Sequence, residues 1–169
     1  MKTNEYHDPK NSLVLFGLQD KLNFLIELYN LKKLPRILMI SGKKGVGKFT
    51  LINHFLNYIY DKENYDLKNQ SINTQSQFYK QYLNNIFPNI IYLSGSNFKN
   101  VKIDDVRDLK SKILKTTISN KERFIVLDDI ELFNHNSLNA LLKIIEEPTS
   151  NNYFVLINNK TKPLIETIH

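Results

Sequence analysis

The run Ser41-Gly42-Lys43-Lys44-Gly45-Val46-Gly47-Lys48-Phe49-Thr50 restricts the folds open to this chain more than any other stretch. Through Lys48 it fits the phosphate-cradling pattern G-x-x-x-x-G-K, in which glycines let backbone N–H groups turn inward around an anion. Lys48 supplies a compact positive charge for terminal phosphates. The next position ordinarily carries the hydroxyl that holds Mg²⁺, and here it is Phe49. The flanks agree with the loop. Arg36-Ile37-Leu38-Met39-Ile40 reads as a buried parallel strand. Ile52, Phe55, Leu56 and Ile59 recur with the spacing of one apolar helix face, on a helix starting near Lys48. Strand, glycine loop and helix in that order aim a helix N-terminus at phosphate.

The remaining pattern extends the same architecture. Leu22, Leu25, Ile26 and Tyr29 form a helical stripe stopped by Pro35. Ile90–Leu93 reads as a second buried strand before the turn Ser94-Gly95-Ser96-Asn97, and Ile103, Val106, Leu109 and Ile113 as an amphipathic helix. Phe124–Leu127 is a third strand and Tyr153–Ile157 a fourth. Between them Asn134 is a candidate N-cap for a helix that turns Leu138, Leu141, Leu142 and Ile145 inward, with Pro148 after its end. Residues 61–88 are polar, without clear period, and read as a variable surface excursion with a short helix around Gln77–Leu83. Residues 1–12 read as a loose polar entry. Alternating strands and helices predict an α/β fold with a parallel, doubly wound sheet.

The third strand ends in Asp128-Asp129, at the carboxyl edge where open parallel sheets place ligands. After a phosphate loop, Asp128 is the candidate to hold Mg²⁺ through water, and Asp129 to orient an attacking water as a general base. An exposed acid pair that merely ends a strand fits the same letters. Asn158 and Asn159, at the tip of the last strand, are candidates to sense a γ-phosphate, or turn-forming asparagines and nothing more.

Composition narrows the classes. With 169 residues the chain suffices for one ordinary domain with a real core. Its net charge of +6 comes from scattered lysines, so it tolerates nucleic acid nearby without locating an interface. The absence of cysteine removes disulfides and thiolate zinc sites and suits a reducing cytosol. Four dispersed histidines offer no paired metal ligands. No apolar stretch approaches a bilayer span, so membrane insertion is not expected and a cytoplasmic protein is.

The stretch from Val126 to Pro148, with its acidic strand end, Asn139-Ala140-Leu141-Leu142-Lys143 and then Glu146-Glu147-Pro148, resembles the AAA+ ATPase domain of bacterial clamp-loader subunits. Leu15-Phe16-Gly17 is similar to the family's segment beside the adenine, making Phe16 and Gly17 adenine-side candidates. Residues Val101–Leu109 are similar to its helix before the acidic strand. The resemblance covers most of residues 13–169, with 61–88 poorly matched, and within the family is nearest to the delta-prime subunit of DNA polymerase III. Lys48-Phe49-Thr50 fits delta-prime loops, and Asp129 stands where an active motor has glutamate. The family's cysteine-based zinc module is missing from residues 61–88.

The resemblance implies a P-loop NTPase domain over 1–169 that binds ATP or ADP through Gly42, Lys43, Lys44, Gly45, Val46, Gly47, Lys48, Phe49, Thr50 and Asp128. It further implies a hetero-oligomer with tau/gamma and delta subunits, and through them contact with the sliding clamp and primed DNA. The arginine-bearing motif, helical lid and collar of that family would follow Thr167-Ile168-His169. Phe49 cannot ligate Mg²⁺, and Thr50 is turned about 100° away along the helix. Asp129 is a methylene short of glutamate, and a misplacement of about 1 Å can slow a reaction ~100-fold. Weak or absent hydrolysis is therefore expected. Two other readings stay open: a hydrolytically competent AAA+ motor, and a small-molecule kinase, for which Arg36, Arg107 and Arg123 have no evident placement.

Overall fold

The computed structural model describes residues 9–96, 108, 110, 111, 113, 121–146 and 151–162. The entry before residue 9, most of the helix expected around Ile103–Leu109, Asn97, Glu147-Pro148 and the end at Thr167–His169 lie outside these. The backbone packs as two compact units, one drawn from Met1–Leu34 and Gly47–Phe87, the other from Pro35–Val46 and Pro88–His169.

The first unit is helical. Helix α1 (Gln19–Asn30) buries Leu22, Leu25 and Ile26, the stripe expected of it. Helix α2 (Lys48–Tyr60) begins where the sequence places it, but its burial departs from the single apolar face expected. Asn53, His54 and Asn57 are as buried as Ile52, Phe55 and Leu56. Chain from both sides covers the polar face. The Asn53 carboxamide donates to the Lys10 carbonyl at 3.4 Å, and Asn57 donates to the Asn53 carbonyl at 2.9 Å. Residues 61–87, expected at the surface, supply much of this cover. Tyr65, Ile72, Phe78, Tyr79 and Tyr82 are buried. Helix α3 (Gln77–Leu83), at the position read from the sequence, is capped by Ser76, whose hydroxyl accepts from Tyr79 N–H at 3.1 Å. Phe78 meets Phe87 edge-on at 4.8 Å and stacks against Tyr60 at 5.6 Å. Aromatics scattered among polar residues escape a periodicity test yet bury large areas once brought together.

His54 makes this packing sensitive to acid. Its Nε2 donates to the Ser12 carbonyl at 2.9 Å, so its Nδ1 accepts from the Tyr65 hydroxyl, also at 2.9 Å. Burial lowers its pKa from the ordinary 6.5, outweighing the Ser12 bond that acts the other way. A histidine whose folded pKa is depressed contributes stability that is intact above the unfolded value and lost as pH falls below it. Urea midpoints measured between about pH 7.5 and about pH 5 should therefore drop more steeply in the wild type than in His54→Gln. Parallel curves would remove His54 as the cause.

The second unit is built on a four-stranded sheet in the order β1-β4-β3-β2, every neighbour parallel, as the α/β reading requires. The strands are β1 (Ile37–Ser41), β2 (Ile90–Ser94), β3 (Arg123–Asp128) and β4 (Asn152–Asn158). The buried strands are β3 and β4, whereas the two runs read as buried at residues 36–40 and 90–93 are not. Among the described residues β1 and β2 are the outer strands, so Ile37 and Met39 are exposed and Ile90–Leu93 half-buried. A run of apolar letters reads alike at the centre of a sheet and at its edge. Asn134 does cap the next helix, α4 (His135–Glu146), accepting from Ser137 N–H at 2.9 Å. Its inward face is Leu138, Leu141 and Ile144, packed with Ile125, Leu127, Phe154 and Leu156; Leu142 and Ile145 are half-buried rather than central.

Candidate functional site

Strand register assembles the polar end of the sheet. Ser41 lies opposite Asn158, and Ser94 opposite Asp128, so the carboxyl ends of all four strands form one row. Asp128 is the last residue of β3; Asp129 follows in the left-handed conformation, φ 51°, which among non-glycine residues asparagine and aspartate adopt most readily. That turn swings the two carboxylates to a common partner, the Asn159 carboxamide. Its nitrogen donates to Asp128 Oδ1 at 3.1 Å and to Asp129 Oδ1 at 2.7 Å.

The two acids are electrostatically different. Burial, together with the neighbouring Asp129 charge, raises the Asp128 pKa, so its carboxyl holds a proton to higher pH than usual. Besides Asn159, the Tyr92 hydroxyl at 3.2 Å and Asp129 N–H at 2.8 Å donate to it. Burial pushes Asp129 upward as well, but hydrogen bonds from Ser96, Asn159 and Ser94 and the Lys44 charge outweigh it, leaving the pKa lowered. Lys44 Nζ stands 4.0 Å from Asp129 Oδ1, with the lysine side chain mostly exposed and the aspartate almost wholly buried. The two shifts thus run in opposite directions, Asp128 upward and Asp129 downward.

The glycine loop is divided between the units. In the sheet unit, Gly42 N–H donates to the Asn158 carbonyl at 3.1 Å, which ties the loop's start to the end of β4. Lys43, Lys44 and Val46 are exposed, and Gly45 takes φ 87°. In the helical unit, Gly47 stands at the N-cap of α2 with φ 84°, where an added Cβ would come within 2.9 Å of Leu18 Cδ1. Lys48 and Phe49 then enter the first turn of α2 buried, and Thr50 half-buried. Phe16 is 80 % exposed, beside Gly17 at φ 70°.

Asn158 and Asn159 separate in role. Asn158 Oδ1 accepts from Lys160 N–H at 2.8 Å, a local turn bond, whereas Asn159 spans the acid pair. The sequence reading missed four residues here: Tyr92, Ser94, Ser96 and Glu131. Hydroxyls in a turn at the carboxyl end of a parallel strand are a usable signal for the two serines. No local signal marks Glu131, whose partners lie 28 and 30 residues away. Gly95 between the serines is sterically required. A Cβ there would come within 2.5 Å of the Asp129 carbonyl oxygen and 3.0 Å of Leu132 Cβ. Gly95→Ala should destabilise the fold by about 2 kcal/mol through overpacking, read as a lowered urea midpoint. An unchanged midpoint would mean that the acid turn yields freely.

Hard carboxylate oxygens suit Mg²⁺. The fit is incomplete, because Asp128 is the acid whose charge is disfavoured and position 49 brings a buried phenyl ring in place of a hydroxyl. Among the described residues no helix is long and apolar enough to cross a membrane, and no cluster of three or more metal-binding side chains forms.

The family described as DNA polymerase III, delta subunit, matches residues 17–169. The delta-prime subunit of DNA polymerase III from Buchnera aphidicola subsp. Schizaphis graminum is 27 % identical over 85 % of this chain and 43 % of its own length. The Haemophilus influenzae delta-prime subunit is 32 % identical over 48 % of this chain and 25 % of its own. The chain thus spans less than half the length of these relatives. A solved Thermotoga maritima protein described as DNA polymerase III gamma subunit-related shares the fold, with TM-score 0.53, 15 % identity and coverage of 80 % of this chain and 39 % of that one.

Proposed function

Because the chain belongs to the DNA polymerase III delta-subunit family, among the clamp-loader proteins, we propose that it binds ATP or ADP through Gly42–Lys48 and hydrolyses it poorly. Its part in DNA replication is then that of a clamp-loader subunit in the cytoplasm. It works beside tau/gamma and delta subunits and, through them, on the sliding clamp and primed DNA. The observation that carries this reading is the acid pair at the carboxyl edge of a parallel sheet, with Asn159 across it and the loop residue Lys44 beside Asp129. Family membership and an unbroken G-x-x-x-x-G-K run support it further.

In this mechanism the loop amides and Lys48 take the β- and γ-phosphates, and the exposed ring of Phe16 offers a stacking face to the adenine. Mg²⁺, when bound, would neutralise phosphate charge, with Asp128 reaching it through water. Asp129 is charged at neutral pH but short for a base, and Phe49 withholds the usual ligand, so binding is retained while turnover is slow.

Calorimetric titration with ADP and ATP, paired with steady-state hydrolysis, tests the reading. Micromolar-range binding (~8 kcal/mol) with negligible turnover is expected. Absence of binding to either nucleotide removes the proposal. Rapid turnover that Lys48→Ala abolishes would place the chain instead among hydrolytic clamp-loader motors.

A further inference from the structure

A single buried carboxylate holds the turn that carries Asn159. Glu131 sits in the 3-10 turn Ile130–Leu132, directly after the acid pair, and is 7 % exposed. Its Oε2 accepts from Asn159 N–H at 3.1 Å. Its Oε1 accepts from Thr161 N–H at 3.2 Å and from the Thr161 hydroxyl at 2.7 Å. Three donors of the segment after β4 thus converge on one side chain of the segment after β3. Lys160 between them is left-handed, φ 53°, which turns the chain back so that the amides on both sides reach the same carboxylate.

We infer that Glu131 is a positioning residue: by gripping the Asn159–Thr161 turn it sets the Asn159 carboxamide between Asp128 and Asp129, where it discriminates ATP from ADP. The inference rests on the nucleotide reading above. Its physical basis is that Asn159 is held at two points. The side chain bonds Asp128 and Asp129, and the backbone N–H bonds Glu131, two residues beyond Asp129 in the segment after β3. Without the backbone anchor, the carboxamide could follow either carboxylate or swing to solvent, and its dipole would no longer be fixed where a γ-phosphate oxygen arrives. Hydrogen bonds to a charged acceptor are the stronger kind, so one carboxylate can hold this turn without further packing. Thr161 is itself exposed, and Glu131 anchors it through both its N–H and its hydroxyl.

The test compares wild type, Glu131→Gln, Asn159→Ala and the double variant. The titrants are ADP and the β,γ-imido analogue of ATP, and thermal melts confirm folding. Glu131→Gln keeps the shape but turns one acceptor into a donor facing an N–H group. It should weaken the ATP analogue on the order of tenfold while leaving ADP little changed. Asn159→Ala should give the same split, and the double variant no further loss, as expected of residues acting in one chain of contacts. Thr161→Val, which removes only the hydroxyl donor, should shift the ratio in the same direction by less. Should Glu131→Gln unfold the protein, the Thr161→Val shift decides.

An ATP-to-ADP ratio unchanged in Glu131→Gln while Asn159→Ala alters it would overturn the positioning role. So would additive losses in the double variant, or a ratio that Asn159→Ala leaves untouched. A nucleotide-independent readout separates this failure from failure of the nucleotide reading. The Asn159 and Thr161 backbone amides and the Asn159 side-chain amide should be protected from hydrogen exchange in the wild type and lose that protection in Glu131→Gln. If no nucleotide binds but protection is lost as described, the nucleotide reading falls and the grip of Glu131 on Asn159 stands. If protection is unchanged, the grip itself is refuted.

Discussion

Lys48→Ala is expected to weaken ADP and ATP binding by roughly 100-fold, the worth of charge-assisted bonds to a phosphate pair. The position admits little compensation. Lys48 is the first residue of α2, immediately after a glycine held at φ 84°, so in the proposed site its ammonium and the positive end of the helix would act on the same anion. The neighbouring Lys43 and Lys44 are exposed, and Lys44 already stands 4.0 Å from Asp129. Lys48 is 6 % exposed, so the alanine also leaves a small void, and calorimetry should be accompanied by a melt. A folded Lys48→Ala protein with wild-type affinity would show that the anion is bound elsewhere.

Phe49→Ser should give two opposed results. The sequence marks position 49 as the missing Mg²⁺ ligand; the structure adds that the phenyl ring is 9 % exposed and part of the core. Removing a buried phenyl costs about 3–5 kcal/mol, a large share of a domain's ~5–15 kcal/mol. The variant should therefore melt well below the wild type, while its ATP affinity becomes more dependent on Mg²⁺ because a hydroxyl is now available. Phe49→Ala separates the effects, since it makes the cavity without supplying the ligand. Equal Mg²⁺ dependence in the serine and alanine variants, measured at low temperature where both are folded, would show that the hydroxyl does not reach the ion. The ring that stands where the pattern has a hydroxyl also belongs to the helical unit's buried interior.

Much of the fold could be read directly because local patterns carried it. The stripe Leu22, Leu25, Ile26 fits α1 at its native face. Asn134 and Ser76 stand at helix N-caps, the first as expected from its side-chain chemistry. The acid pair was legible as a strand end, and Asn159 as a polar tip. What could not be read was which of two adjacent asparagines faces the acids. Alternation along a strand ends with the strand, and the turn bond from Lys160 N–H to Asn158 is what frees Asn159 to point at them. Nor could the covering of α2 be anticipated. Asn53 and His54 look like part of a solvent face until Lys10, Ser12 and Tyr65 arrive from elsewhere in the chain to satisfy them.

What the amino-acid order decided by itself was therefore everything governed by neighbours a few residues apart: helix stripes, caps, the glycine turn and the parallel α/β class that alternating elements impose. The tertiary structure alone decided which strands are edges, that residues 61–87 form an aromatic interior, and that Glu131 holds the Asn159 turn. The reason is physical. Short-range conformational preferences are written in consecutive residues. Burial and hydrogen-bond partnership across 28 to 42 positions exist only after the chain has closed on itself.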